Sequence, residues 1–219
     1  MNRSVACILL CAFSLHMPAT FASDAELDLA RLNPRNWVKS TQDVPEKSFE
    51  EAKGAAIGGK PGEEIKTFML KQGQKFKSVK GAIVSTIRNG EVLKISLPAS
   101  VLFVPNDTIL ATDAELSLRP ILTFMRRDLT DLLITGHSDN TGSKAYIEMM
   151  SRARASAVEA WFRQNGVTDG EMGTYSFGDQ QPLFDNDSME TRAKNRRITF
   201  YLVPNQEMIK QAKRKRLNK

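Results

Sequence analysis

The apolar positions change period several times along the chain. From Lys80 the residues turn β-branched and apolar, with Ala82, Ile83, Val84, Thr86 and Ile87 followed by Val92, Leu93, Ile95 and Leu97. Asn89-Gly90 between the two runs predicts a hairpin, because both residues tolerate the positive φ of a type I′ turn. Helical and strand periods then alternate. The spacing predicts a helix over Ala114 to Arg127, a short buried strand over Leu132 to Gly136 and a long helix over Ser143 to Gln164. A strand over Gly173 to Phe177, a short helix over Ser188 to Lys194 and a last strand over Arg197 to Val203 follow. Pro120 lies inside the first of these helices and should kink it or shift its start. Such an alternation predicts an α+β fold, a sandwich with helices packed on one face of a mixed sheet. On the long helix, Tyr146, Met150, Ala153, Ala157 and Trp161 share a stripe at spacings of three and four, which predicts the core face. Arg154 falls in line with Ile147, Ser151 and Val158, at the border of that face; Phe103, Phe177 and Trp161 are expected in the core.

Upstream the pattern weakens. Residues Ser23 to Ser78 are charged and broken by Pro34, Pro45, Pro61 and glycines 54, 58, 59 and 62. Only brief amphipathic helices are predicted, over Ala25 to Leu32, Ser48 to Ala56 and Glu63 to Lys71. With so few alternating strands this region does not make a membrane β-barrel, whose smallest form has about eight. Met1 to Ala22 has a basic start at Arg3, an apolar run from Val5 to Leu15 and small residues at Thr20 and Ala22. That is the layout of a secretory signal peptide cleaved after Ala22. The run is shorter than the ~20 apolar residues that span a bilayer. Cys11 follows Leu10, and Cys7 lies too near the start, so lipid anchoring is not expected. The expected organisation is a signal peptide over 1–22, a partly helical extension over 23–79, a domain over 80–204 and a basic tail over 205–219.

Charge and cysteine usage narrow the function classes. The net charge of +6 is localised: residues 205–219 hold six basic side chains against Glu207, and Arg3 supplies one more positive charge. The remainder is formally neutral, so the basic balance describes a tail and not a nucleic-acid-binding face. Both cysteines lie in the leader, which leaves the expected mature chain without a disulfide, a thiol ligand or a thiol nucleophile. One histidine, His137, remains, so a histidine-rich zinc site is not expected, and no GxSxG elbow is present for a serine nucleophile. Composition leaves a paired-carboxylate glycosidase open, yet nothing marks two acids as partners. No catalytic residue, cofactor or metal is assigned.

The most informative stretch is GHSDNTGSKAYIEMMSRARASAVEAWFRQNG, from Gly136. A strand ends, a polar loop with Asp139, Asn140, Thr141 and Gly142 follows, and the long helix begins. Loops at strand ends present backbone N–H groups and side chains from a rigid support, which suits ligand binding. Asp139 can also serve as a simple turn or cap residue.

With "LFVPND" as an entry strand, "GHSDNTGS", "MSRARASAV", "FGDQQP" and "DNDSMETRAKNRRITF" in this order, the chain from about Leu97 to Val203 resembles the OmpA-like peptidoglycan-binding domain. That domain also occurs in peptidoglycan-associated lipoproteins and flagellar stator proteins. The resemblance implies a βαβαβ sandwich and non-covalent binding of peptidoglycan through the diaminopimelate of its stem peptide. By the same resemblance Asp139 binds the ligand's ammonium and Arg154 its carboxylate. Asn106, the backbone N–H groups of Thr141 and Gly142, and Arg197 line the pocket, while Arg192, Asn195 and Arg196 are structural. The residue types fit, since a guanidinium pairs with a carboxylate through two parallel hydrogen bonds. Ile147 departs from the asparagine many members carry there, at an expected cost of ~0.5–1.5 kcal/mol for one neutral hydrogen bond. The expected role is to anchor or position an envelope component at the wall, in the periplasm and associated with the outer membrane. A protein partner is expected at the extension or the basic tail. The alternative is an interaction module of a secretion, motility or envelope assembly with weakened wall binding.

Overall fold

A computed structural model describes residues 56–168 and 172–217. The expected leader and the helix over Ala25 to Leu32 lie outside these residues, as does nearly all of Ser48 to Ala56. Five strands form one sheet in the order β1-β2-β5-β3-β4. They are β1 (Ile83–Ile87), β2 (Val92–Pro98), β3 (Thr130–His137), β4 (Met172–Gly178) and β5 (Arg197–Pro204). All pairings are antiparallel except β3 with β4. The parallel pair needs a crossover. It is supplied by the long helix α4 (Lys144–Gln164), capped by the Ser143 side chain accepting from the Tyr146 amide. The other helices among the described residues are α1 (Gly59–Phe76), α2 (Ala99–Leu102), α3 (Ala114–Met125), α5 (Met189–Asn195) and α6 (Gln206–Lys213). The mixed sheet with helices packed on one face is the expected α+β architecture.

The hairpin is present, but its turn is shifted by one residue. Arg88 and Asn89 take the two central positive φ angles, 54° and 55°, and Gly90 a third at 91°. The Gly90 amide closes the turn on the Ile87 carbonyl at 3.1 Å. "LFVPND" is not an entry strand. Its first residue, Leu102, ends α2, and Phe103 makes only an isolated bridge to Leu110. Pro120 sits within the continuous helix α3.

The main core lies between the sheet and its helices. Leu93, Ile95 and Leu97 of β2, Leu132 and Ile134 of β3, and Ile198, Phe200 and Leu202 of β5 point into it. Their alternating partners Leu133, Tyr175, Phe177, Tyr201 and Val203 form a second cluster with Val92 on the opposite face, as the period of two requires. Two segments expected to stand outside the domain pack into the main core. Helix α1 runs to Phe76 and buries Ile65, Phe68, Met69 and Phe76 there; Met208, Ala212 and Leu217 of the basic segment join the same cluster. The sequence hid this because charged residues dominate both helices while a few apolar side chains at helical spacing do the packing. Asn205 opens α6, accepting from the Glu207 and Met208 amides at 3.0 Å each. The Leu217 amide donates to Glu64 of α1 at 2.9 Å.

The buried face of α4 is Ile147, Met150, Ser151, Arg154, Ala155, Val158 and Phe162. It is rotated from the stripe of larger side chains expected, and Tyr146 is exposed while Trp161 is half-buried. A close approach to β3 sets the rotation. A Cβ on Gly136 would lie 2.1 Å from the Ser151 carbonyl oxygen and 3.1 Å from the Ala155 Cβ. Glycine on the strand and small residues on the helix let the two backbones touch, which turns Arg154 inward.

Candidate functional site

Asp139 stands in the loop between β3 and α4 with only 3% of its surface exposed. Its backbone position is fixed from both sides. The Ser138 amide donates to the Gly178 carbonyl at 2.7 Å. Asp139 Oδ1 accepts from the Thr141 amide at 2.9 Å, an Asx turn. Gly142 follows at φ 113°, and a Cβ there would meet the Tyr146 ring at 3.1 Å. Burial and the hydrogen bond hold the carboxylate in one orientation before any ligand arrives.

Arg154 reaches the same rim from α4 and is 6% exposed. Its Nε donates to the Asp107 carbonyl at 2.9 Å, and its guanidinium carbon lies 5.5 Å from the centroid of the Phe103 ring. The loop after α2 therefore positions it. Asn106 in that loop adopts φ 59°, and Asp107 Oδ1 accepts from the Thr108 and Ile109 amides. Burial, and next the neighbouring Arg196 guanidinium, lower the Arg154 pKa from its usual value; Tyr146, Asp139 and Asp107 act in the opposite sense. An arginine keeps its charge through such a shift.

The two arginines at the start of β5 exchange their expected places. Arg196, expected as structural, pairs through Nη1 with Asp139 Oδ2 and keeps a side chain 40% exposed at the rim. Arg197, expected in the pocket, is buried on the other face of the sheet. Its Nη2 donates to the Gln181 carbonyl at 3.0 Å and its Nη1 to the Asn195 carbonyl at 3.3 Å. Strand alternation explains the exchange: Ile198, Phe200 and Leu202 face the helices, so Arg197 must face away. Arg196 precedes the strand and is free of that constraint. The structure thus brings Asp139, Arg154 and Arg196 together beside the Asn106-Asp107 loop. The Thr141 N–H holds the Asp139 side chain instead of offering itself outward, and Thr141 and Gly142 form the exposed outer edge. Ile147 is buried, 3.4 Å from where a Cβ on Gly178 would stand.

Asn195 and Arg192 hold the loop over residues 183–186. Asn195 is fully buried, accepts from the Leu183 and Phe184 amides at 2.9 and 3.0 Å and donates to the Phe184 carbonyl at 2.7 Å. Arg192 Nη1 donates to the Asn186 carbonyl at 2.8 Å. The capping box of Ser188 and Thr191 opens α5, which carries both residues. His137 is buried, hydrogen-bonds through Nε2 with Thr135 Oγ1 at 3.0 Å and stacks on Phe177 at 5.3 Å. Among the described residues no group of three or more His, Cys, Asp or Glu could hold a metal ion. None of the described helices is long and apolar enough to cross a membrane.

A carboxylate and a guanidinium, each buried, preoriented and on adjoining elements, can grip a zwitterion at its two ends. Arg154 has Nε committed to a carbonyl, which leaves the terminal edge of the fork as the side suited to a carboxylate.

Comparison with known proteins finds relatives for part of this chain. Residues 102–196 match the OmpA family. The outer-membrane lipoprotein YfiB of Pseudomonas aeruginosa is 30% identical over 112 residues, covering 51% of this chain and 66% of that one. Outer membrane porin F of the same organism is 29% identical over 110 residues, 49% of this chain and 31% of the porin. The chain thus spans about two thirds of one of these relatives and about a third of the other. Among solved structures, a putative MotB-like protein from Desulfovibrio vulgaris superposes with TM-score 0.54 at 26% identity, over 64% of this chain and 96% of that one. The cell wall anchor of the T6SS from Pseudomonas aeruginosa shares the fold with TM-score 0.55 at 21% identity, over 63% and 97%. The matched stretch holds Asp107, Asp139, Arg154 and Arg196 but neither α1 nor α6, and residues 102–196 are an OmpA-family domain.

Proposed function

We propose that this protein binds peptidoglycan without catalysis, gripping the side-chain ammonium and carboxylate of diaminopimelate with Asp139 and Arg154. The observation that carries the reading is the pair of buried, opposite charges on adjoining elements of an OmpA-family domain. The ligand ammonium takes the place of the Arg196 guanidinium on Asp139 Oδ2, so binding exchanges one ion pair for another. Arg196, half-exposed, then swings toward the remaining carboxyl groups of the stem peptide. Arg154 receives the side-chain carboxylate on its terminal nitrogens. Asn106, Thr141 and Gly142 form the surrounding rim, and Arg197 supports the loop 181–195 from beneath through the Gln181 and Asn195 carbonyls.

The names of the relatives support an envelope setting, one being an outer-membrane lipoprotein and one neighbour a cell wall anchor. On this reading residues 1–22 export the chain to the periplasm and the domain ties an envelope component to the wall. One observation favours a second reading. Ile147 packs into the space beside Gly178 where many members offer an asparagine, and this suits a module with weakened wall binding that serves mainly within a protein assembly.

Incubation with purified sacculi tests the proposal by scoring co-sedimentation and release of soluble muropeptides together. Co-sedimentation that free diaminopimelate competes away, that lysine competes poorly, and that proceeds with no muropeptide release is the expected result. Release of muropeptides would make the protein an enzyme, and failure to sediment would favour the second reading.

A further inference from the structure

Four consecutive cations, Lys213, Arg214, Lys215 and Arg216, stand exposed at the end of α6. They are not a loose tail. Ala212 before them and Leu217 after them are buried in the main core, so the run is pinned at both ends. The backbone between is closed: the Arg214 amide donates to the Lys210 carbonyl at 3.2 Å, the Lys215 amide to that of Ala212 at 2.9 Å and the Arg216 amide to that of Gln211 at 3.0 Å. These bonds satisfy the last carbonyls of the helix and leave the four side chains no capping work. One cation suffices to meet the dipole of a helix end; four in a row do not follow from it. None of the four side chains makes an ion pair or a hydrogen bond among the described residues. The run also has neighbours of its own sign. Arg126 and Arg127 are exposed in the turn between α3 and β3, which is tied to the start of α6 where the Asn205 amide donates to the Leu129 carbonyl at 3.1 Å. Over residues 126–128 and 213–216, six exposed cations face one carboxylate, Asp128. The other acids nearby are engaged: Glu207 by Lys210 at 3.8 Å, Glu63 by Lys66 at 3.7 Å, and Glu64 by the Leu217 amide at 2.9 Å.

We propose that this end of the domain docks on a membrane surface, its cations meeting the phosphates of an anionic phospholipid leaflet. The chemistry of the run selects that occupant. A protein partner needs an apolar centre to its interface, and the apolar side chains here, Met208, Ala212 and Leu217, are committed to the core. A nucleic acid strand needs aromatic rings on which bases stack, and residues 205–217 have none. A planar field of phosphates asks only for several exposed point charges on a fixed support, and clusters of four or more Lys and Arg beside a bilayer bind anionic lipid in this way. With no apolar face left over for insertion, the contact is electrostatic. Its place in the fold is apart from the rim. Strand β3 runs from Thr130 to His137 and β5 returns antiparallel from Arg197 to Pro204. The Arg126-Arg127 turn and α6 therefore lie at one end of the sheet, and Asp139 and Arg196 lie at the other, about 23 Å away at ~3.3 Å per residue. The four-cation run also falls outside the stretch 102–196 that matches the OmpA family. If the rim holds peptidoglycan, wall and membrane can be held at once; the membrane contact itself does not rest on that reading.

Vesicle flotation tests the contact, with the chain from Ser23 so that the apolar leader takes no part. Vesicles of phosphatidylglycerol and phosphatidylcholine should bind the protein at low salt, and vesicles of phosphatidylcholine alone should not. Binding should vanish at ~1 M salt, where the screening length falls to ~3 Å. Lys213→Gln, Arg214→Gln, Lys215→Asn and Arg216→Gln together should weaken it about a hundredfold or more, since each cation beside an anionic surface is worth about fivefold. Lys71→Gln, Lys75→Gln, Lys77→Gln and Lys80→Gln remove the same charge from exposed positions on α1 and the turn after it. That control should cost about threefold at most, because charges beyond ~10 Å are screened. Where the first fourfold variant loses its thermal transition, Arg214→Gln with Arg216→Gln replaces it, with a loss of about twentyfold expected. Equal losses in the two fourfold variants overturn the proposal, because net charge alone would then be acting. Equal binding to neutral vesicles overturns it, and so does binding to neither kind. Capture by polyglutamate in preference to anionic vesicles also overturns it and marks an acidic protein as the partner. Sacculus co-sedimentation is scored separately, so a failure of wall binding and a failure of membrane binding are told apart.

Discussion

At the rim, Asp139, Arg154 and Arg196 are charged groups brought close by an Asx turn, a carbonyl contact and an ion pair. At the flank, Ile65, Phe68 and Met69 of α1 and Met208 and Ala212 of α6 are apolar groups buried against the same sheet. The rim falls within the OmpA-family stretch 102–196 and the flank outside it. Hydrogen bonds contribute little net stability because folding exchanges them for hydrogen bonds to water. Apolar burial contributes about 25 cal/mol per Å² and is indifferent to orientation. The difference teaches that the charged rim and this flanking apolar support come from separate stretches of the sequence, which makes the two separable by mutation.

The variant expected to break both at once is Gly136→Ala. Its Cβ would stand 2.1 Å from the Ser151 carbonyl oxygen, a backbone atom that no rotamer change removes. Helix α4 must move away from β3, costing about 3 kcal/mol or more and drawing Arg154 away from Asp139. Thermal unfolding and sacculus co-sedimentation should both deteriorate. A stable variant that binds normally would show that the contact between strand and helix does not set the site.

Asp139→Ala and Arg154→Ala should lose binding alone. Stripping one member of a desolvated ligand pair costs about 2–5 kcal/mol, a drop of roughly thirtyfold to several thousandfold in affinity. Stability should change far less, since Arg196 is left with a side chain 40% exposed to water. If the two residues hold opposite ends of one group, as proposed, the double variant should lose less than the sum of the single losses. Two folded single variants that sediment with sacculi at full strength would place the pocket elsewhere.

Met208→Ala is the converse. Met208 is 0% exposed in the main core, and its truncation should cost about 2–5 kcal/mol of stability with unchanged affinity per folded molecule. Denaturant unfolding measures the first and a binding isotherm below the transition the second. For the same reason, removing residues 205–219 takes away core residues as well as charge, and the remaining chain should be severely destabilised.

The legible parts of the sequence were those in which local pattern and tertiary demand agree. Alternation placed all five strands to within about two residues, and Ser143 and Ser188 marked where helices begin. The parts that did not show were long-range. That α1 and α6 share a core depends on contacts between residues 153 apart, such as Leu217 with Glu64. The exchange of Arg196 and Arg197 was legible in principle, because the parity of Ile198, Phe200 and Leu202 already assigns Arg197 to the far face. The rotation of α4 had its signal in small residues, Gly136 with Ser151 and Ala155, which apolar periodicity weighs less than Tyr146 or Trp161.

The smallest expected effect sharpens the contrast from the second face, where charge is buried away from the rim. His137 has a pKa pushed well below its ordinary value, chiefly by burial, then by Arg197 and Lys94. The folded state therefore holds the ring neutral, with Nε2 on Thr135 Oγ1 and the ring against Phe177. In the unfolded chain the ring gains a proton near its ordinary pKa of about 6.5, so below that pH the unfolded state binds more protons and stability falls. His137 thus contributes full stability above the unfolded pKa and loses it progressively as pH drops through about 6.5 toward the depressed folded value, with a slope of at most about 1.4 kcal/mol per pH unit. Above that window the group contributes no pH dependence. His137→Gln keeps a polar group beside Thr135 and removes the titration. Unfolding free energies of the two proteins at closely spaced pH values below 7 should diverge in slope, the wild type falling more steeply. Equal slopes would mean that His137 is protonated in the fold, and a steeper fall in the variant would reverse the sign of the argument.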